Sequence, residues 1–166
     1  MGSSMGPFLF MRLLMEHDEL QYEKRARAGL IPYLKDESGN FLYLMMVSSN
    51  PKLGGPRPMI SKGKIEEDED AFGCAVREAE EELGLIAYNL AETPFMLAHE
   101  RVELRSGAYD LTVYAARISD RWHFDKWCSE TEYTVWMTCE EFLKDGRRDH
   151  QKYVKQLEEM LKSKME

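Results

Sequence analysis

A chain of 166 residues, 43% apolar and 31% charged, has room for one domain with a full core and not for two ordinary ones. Its formal charge of −8 at pH 7 argues against a broad nucleic-acid or anionic-membrane surface, while leaving room for a local basic loop that meets phosphates. Three cysteines, Cys74, Cys128 and Cys139, cannot all pair within one chain and show no C-x-x-C spacing, so free thiols in a reducing, cytoplasmic compartment are expected.

The opening "MGSSMG" reads as a cloning remnant or a disordered tail, and "FLFMRLLM" after it is apolar but interrupted by Arg12. With no basic segment before it, this stretch is not read as a signal peptide, and it is too short to span a bilayer. Residues 1–24 are taken as a tail and edge segment that covers a sheet edge or packs on a partner subunit, and residues 25–166 as the domain. "RARAGLIPYL" (residues 25–34) and "FLYLMMVSS" (41–49) are rich in strand formers, with the turn cluster "KDESGN" between them. They predict a β-hairpin in which Pro32 marks an edge strand or a bulge. "NPKLGGPRP" (50–58) is a loop, and a short strand is expected at 59–61.

A helix is predicted over residues 70–83, where Phe72, Ala75, Val76, Ala79 and Leu83 recur at the spacing of a buried stripe. Acids in its first turn suit the positive end of the helix dipole, and Gly84 is a natural stop. Residues 95–104 and 109–118 read as strands joined by the "RSGA" turn, and "TEYTVWM" (131–137) as another strand. "CEEFLKDG" is a short helix or turn, and residues 148–164 form a closing helix with Val154, Leu157 and Leu161 on its apolar side. Strands and helices in this order predict a mixed sheet covered on both faces.

The predicted helix at 70–83 carries an unusual load of charge. On a wheel of about 100° per residue, Glu78, Glu81 and Glu82 share one sector beside the buried stripe, and Glu80 falls on its other flank. Acidic helix faces are ordinarily just solvated. Converging carboxylates, however, disfavour their own ionised forms unless a cation sits among them. Hard divalent ions such as Mg²⁺ or Mn²⁺ take oxygen ligands and commonly bind substrate phosphates as well.

The spacing Gly63-x5-Glu69-x7-Arg77-Glu78-Ala79-x-Glu81-Glu82-x-Gly84-Leu85 matches the Nudix box at every fixed position, and the chain is identified as resembling the Nudix hydrolases. Its flanks also resemble the family. "AGLIPY" (28–33) is similar to the first core strand of many members. "SKGKIE" is similar to the "PKGKIE" opening of dinucleoside polyphosphate hydrolases and decapping enzymes, with Ser61 in place of the proline. "TEYTVWM" resembles the late strand in which several members place one more metal-binding glutamate.

This resemblance implies an α/β/α sandwich around a mixed sheet, and a pyrophosphohydrolase dependent on Mg²⁺ or Mn²⁺. Glu78, Glu81 and Glu82 are then metal ligands and catalytic residues, helped by the Gly63 carbonyl, and Glu69 and Arg77 form a supporting ion pair. Glu132 is the expected extra glutamate, Glu130 the next choice, with Glu100 and Glu103 as further alternatives. Lys62, Arg57, Lys64 and Lys52 flank the Gly/Pro loop and are candidates for gripping phosphates, Lys62 first. Tyr33, Tyr109, Trp122 and Trp127 are candidates for stacking on a base, against the simpler reading that they pack. His17, His99, His123 and His150 show no zinc spacing and default to structural or surface roles, as Cys74 does to packing. The implied substrates are small nucleotides: ADP-ribose, dinucleoside polyphosphates, and NAD- or FAD-type dinucleotides. Alternatives are removal of an RNA 5′ cap or 5′ pyrophosphate, or a sensor that binds a nucleotide without cleaving it. A homodimer is also implied by the family.

Overall fold

The computed structural model describes residues 26–52, 56–105, 107–120 and 128–165. The N-terminal segment, His17, Trp122, His123 and Trp127 lie outside the described residues. Strands β1 (Arg27–Lys35), β2 (Phe41–Ser48), β3 (Ser61–Lys64), β4 (Phe95–Leu104), β5 (Gly107–Arg117) and β6 (Thr131–Met137) form one sheet of order β4-β5-β1-β2-β6, with β3 pairing β1. β1 runs parallel to β5 and antiparallel to β2 and β3, so the sheet is mixed.

Both faces of this sheet are apolar because its central strands alternate two hydrophobic sets. Leu42, Leu44 and Met46 of β2, with Ala28, Leu30 and Leu34 of β1, pack on Cys74, Ala75, Ala79 and Leu83 of helix α1 (Ala71–Leu83). Tyr43 and Met45, with Ile31, Leu111 and Val113, pack on Phe142 of α2 (Cys139–Asp145) and on Tyr153, Val154, Leu157 and Leu161 of α3 (Gln151–Ser163). The result is an α/β/α sandwich. No helix among the described residues is long and apolar enough to cross a membrane.

Several sequence expectations shift in detail. Pro32 is not on an edge strand: β1 is interior, and Pro32 falls where one side of β1 changes partner, from β3 (through Leu30) to β2 (from Tyr33). No neighbouring strand asks for an amide proton at that gap, so proline fits there. The expected strand at 59–61 lies further along, at Ser61–Lys64, and Met59 makes only an isolated bridge to Met46. The closing helix begins as a 3-10 turn, Arg148–His150, before α3.

Helix α1 is capped by Asp70, whose carboxylate accepts from Gly73 N–H at 2.7 Å, and it ends at Gly84 in the left-handed region (φ 73°). Its first turn holds no acidic residue, because Asp70 is the cap and not part of the helix. Phe72 is exposed and meets the Tyr114 ring edge-on, while Cys74 takes the buried place expected for it. This displacement matters. The buried side of α1 includes Glu78 and Glu82 themselves, so these carboxylates are part of the packed face and not merely beside it.

Candidate active site

The site is built where α1 lies against the outer edge of β3. The inner edge of β3 pairs with β1 in the register Ala28↔Gly63 and Leu30↔Ser61. On the outer edge, the Lys62 backbone N–H donates to Glu82 Oε1 at 2.9 Å, and the Lys64 carbonyl accepts from Arg77 Nη2 at 3.1 Å. Side chains of α1 thus satisfy the backbone groups that an unpaired strand edge would leave open.

Glu82 is buried, and its Oε1 also accepts the Ser61 hydroxyl at 3.0 Å. Burial, then the neighbouring Glu78 charge, pushes its carboxyl up to about 8, against the opposing pull of Ser61 and the Lys62 amide. Glu78 lies one turn earlier, so close to β3 that a Cβ on Gly63 would fall 2.0 Å from its Oε1. Burial raises the Glu78 carboxyl too, with Glu81 and Glu130 adding to the effect and Arg77 opposing it. Glu81 is half exposed, and Glu80 points to solvent without joining the group.

Arg77 organises these carboxylates. It forks onto Glu69, with Nε to Oε2 at 3.0 Å and Nη2 to Oε1 at 2.6 Å, and this holds the Glu69 carboxyl down at about 2. Its Nη1 reaches Glu78 at 3.0 Å and both oxygens of Glu81 at 3.3 Å. Beneath the loop, the Cys74 thiol faces the Gly63 and Lys64 carbonyls at 3.5 and 3.4 Å, and burial pushes it up to about 12, so it is a packing group and not a nucleophile.

The remaining candidates separate. The charge of Glu130 acts on both Glu78 and Glu82. Glu132 is the extra residue of a β-bulge, since Val47 pairs Tyr133 while Ser48 pairs Thr131. Thr131 itself donates its hydroxyl to the Glu82 carbonyl at 2.9 Å, which ties β6 to α1. Glu100 is engaged by Tyr153 and Lys152, away from this edge, and Glu103 is exposed on β4. Arg57, Lys52 and Lys64 are exposed. Tyr33 packs on the face opposite α1, against Phe41 at 6.5 Å, and does not meet the carboxylates. Lys62 sends its side chain to that same far face, 5.5 Å over the Tyr109 ring, where burial and the charges of Arg147 and Arg27 lower its ammonium to about 8. The contribution of Ser61 to holding Glu82 was not legible from the sequence, which marked Ser61 only as a departure from proline.

Among the described residues, no three His, Cys, Asp or Glu side chains are already gathered as a metal cage. The donor set nonetheless fits a hard divalent ion. Two buried carboxylates with raised pKa values and a third accessible one supply oxygen ligands, and a cation would relieve the strain of burying them.

A carboxylate-bearing helix docked on a strand edge of an α/β/α sandwich defines a pyrophosphohydrolase, an enzyme of phosphoanhydride cleavage. The chain matches the NUDIX domain over residues 24–157 and belongs to that family, whose hydrolases generally use divalent metals. A search of curated sequences finds no match. Similar solved structures include a C. elegans Ap4A hydrolase binary complex (17% identity, TM-score 0.69, covering 83% of this chain and 98% of that one). Another is the NUDIX domain of Shewanella oneidensis NrtR complexed with ADP ribose (16%, TM-score 0.69, 91% and 97%). A third is the Nudix hydrolase RenU from M. smegmatis (18%, TM-score 0.66, 84% and 88%).

Proposed function

We propose that the chain cleaves the pyrophosphate bond of a nucleoside diphosphate linked to a second moiety. The substrates would be ADP-ribose, dinucleoside polyphosphates or NAD- and FAD-type dinucleotides, with Mg²⁺ or Mn²⁺ as cofactor. The observation that carries this reading is the burial of Glu78 and Glu82 side by side against β3, at a cost that a bound cation would offset. When bound, a divalent ion neutralises the diphosphate, acidifies a water and braces the leaving oxygen. The protein's part is to hold it with Glu78, Glu81 and Glu82, beside the Gly63 segment. Arg77 and Glu69 fix the helix against the loop. A water attacks one phosphorus, the bridging P–O bond breaks and a proton is released, giving two phosphate monoesters from ADP-ribose or an NAD- or FAD-type dinucleotide and two mononucleotides from a dinucleoside polyphosphate. Of the carboxylates outside the helix, Glu130 is better supported than Glu132 for orienting that water, since its charge reaches both buried glutamates. Arg57 and Lys64 would grip the phosphates from solvent.

A small substrate suits the charge distribution. Long RNA is held largely by Lys and Arg contacts to successive phosphates, whereas this chain carries −8, and its one concentrated basic stretch between strands, Lys52 to Lys64, spans a few phosphates at most, with "GRRDHQK" a minor patch. The test is kcat/KM at about 0.15 M salt, near physiological screening, for ADP-ribose, NAD, FAD and diadenosine polyphosphates against triphosphorylated and capped RNA. Preference for a small dinucleotide-type substrate is expected; a tenfold advantage for RNA would overturn the assignment and favour decapping.

A further inference from the structure

We propose that Ser61 is a positioning residue for the Glu82 carboxylate: its hydroxyl, with the Lys62 amide, pins one oxygen of that group and presents the other to a divalent cation. The inference rests on the metal-dependent reading of the site and adds to it a residue outside the carboxylate set. Ser61 opens β3 and is fully buried, and its hydroxyl donates to Glu82 Oε1 at 3.0 Å. The amide of the next residue, Lys62, donates to the same oxygen at 2.9 Å. Both donors fall on Oε1, which leaves Oε2 as the oxygen to meet a ligand.

Two donors on one oxygen have a specific effect. The last torsion of a glutamate is broad and roughly two-fold, so a carboxylate held by a single bond can still turn about it. Donors prefer the plane of the acceptor group, and a second one arriving from another direction fixes that plane. The backbone of Glu82 is held as well. Its carbonyl belongs to the last turn of α1, where helical partners run out, and it accepts the buried Thr131 hydroxyl of β6 at 2.9 Å. One strand thus anchors the main chain of this residue and another anchors its side chain.

The neighbouring acids are held differently. Arg77 reaches Glu78 at 3.0 Å and both oxygens of Glu81 at 3.3 Å, so a guanidinium charge already answers theirs. The donors on Glu82 are neutral. A hydroxyl and an amide orient the carboxylate without supplying a counter-charge, which keeps its negative charge for a cation. The hydroxyl is also particular to this chain's form of the motif. The similar "PKGKIE" openings carry proline here, which has no side-chain donor, whereas the Lys62 amide is present with either residue. Ser61 is therefore the added member of the clamp. Loss of a hydrogen bond to a ligating side chain typically weakens metal binding by about 10–100-fold.

The experiment titrates Mn²⁺, which takes the same oxygen ligands as Mg²⁺, into the full-length protein without nucleotide. Free Mn²⁺ is followed by electron paramagnetic resonance for wild type, Ser61→Ala and Ser61→Thr. Ser61→Ala removes one oxygen atom and should stay folded by circular dichroism, yet raise the apparent Kd by about tenfold or more. Ser61→Thr returns the hydroxyl and should recover most of that loss. As a second readout, the Mg²⁺ concentration for half-maximal turnover of ADP-ribose should rise in Ser61→Ala, while KM for ADP-ribose at saturating Mg²⁺ stays unchanged. A serine that only fills its place in the core would move stability and neither of these. Equal Mn²⁺ affinity in wild type and Ser61→Ala would overturn the assignment. So would a folded Ser61→Thr that binds as weakly as Ser61→Ala, or a Mn²⁺-bound crystal structure in which the oxygen bonded to Ser61 is the one that meets the ion. Wild type that binds no Mn²⁺ would overturn the metal reading and this assignment together. Mn²⁺ binding without turnover of any dinucleotide would count against the pyrophosphohydrolase reading alone, because the titration requires no catalysis.

Discussion

The Glu78 carboxylate occupies the space that a side chain at Gly63 would need: a Cβ there would lie 2.0 Å from Oε1 and 2.2 Å from Cδ. Gly63→Ala must therefore move Glu78, a group the chemistry needs in place. Misplacing a catalytic group by about 1 Å costs on the order of 10²-fold in rate, so kcat should fall at least that far while the protein still folds. Steady-state kinetics with a melting curve as control checks this. Activity near wild type would mean that Glu78 is not positioned for catalysis.

Glu82 should trade stability for function. Its folded carboxyl is raised from an ordinary value of 4.5 to about 8, so the protonated form is the one that folding favours. The stability this gives is complete below 4.5 and is lost as pH rises toward 8, because the buried group must then ionise. Metal-free wild type should weaken over that range, and Glu82→Gln, which removes the ionisation, should weaken less. Adding Mg²⁺ should raise the Tm of wild type but not of Glu82→Gln, since only the former gains a ligand for the folded state. Tm against pH in EDTA and in Mg²⁺ provides the comparison. A variant less stable than wild type at pH 8 would argue against this account of Glu82.

Arg77 and Glu69 form a two-bond fork that lysine cannot reproduce. Arg77→Lys should lower stability by about 1.5–3 kcal/mol, the range for hydrogen bonds to charged groups. The Glu69 carboxyl is depressed to about 2, so its contribution is present above its ordinary 4.5 and disappears as pH falls toward 2. Acid unfolding followed by circular dichroism should show that limb in wild type and a reduced one in Arg77→Lys. Superimposable acid limbs would remove the pair from the stability account.

Four glutamate-to-glutamine changes sort the carboxylates. Glu81→Gln should reduce kcat by orders of magnitude and Glu80→Gln should leave it near wild type, because only Glu81 joins Arg77 and the buried pair. Glu130→Gln should cost more than Glu132→Gln, since Glu130 is the acid whose charge reaches Glu78 and Glu82. Equal losses at Glu80 and Glu81, or a larger loss at Glu132, would show that the faces are wrongly assigned.

How much of this was legible in the sequence depended on whether local pattern or register decided the outcome. "TEYTVWM" reads as a strand by composition alone and is one, Thr131–Met137. The end of α1 was visible in Gly84, and its start in Asp70 to within one residue. By contrast, "SKGK" has no strand pattern; it is a strand because β1 pairs with it. Pro32 looked like an edge signal because a sequence does not show where one strand changes neighbours. The carboxylates on α1 could be grouped by a wheel, but not their burial, which follows from the stripe running through Cys74 and not Phe72. Which way Lys62 points, and that Ser61 and Thr131 meet Glu82 from two different strands, are set by tertiary packing and had no local signal.

The most direct test of the central claim is turnover of ADP-ribose and diadenosine polyphosphates, with products identified, in Mg²⁺ and in EDTA, for wild type and Glu82→Gln. The expected result is cleavage by wild type in Mg²⁺ alone, to two phosphate monoesters from ADP-ribose and to two adenine mononucleotides from a diadenosine polyphosphate, with Glu82→Gln reduced by orders of magnitude. Turnover indifferent to metal, or equal in wild type and Glu82→Gln, would contradict a metal-dependent pyrophosphohydrolase built on the buried carboxylates of α1.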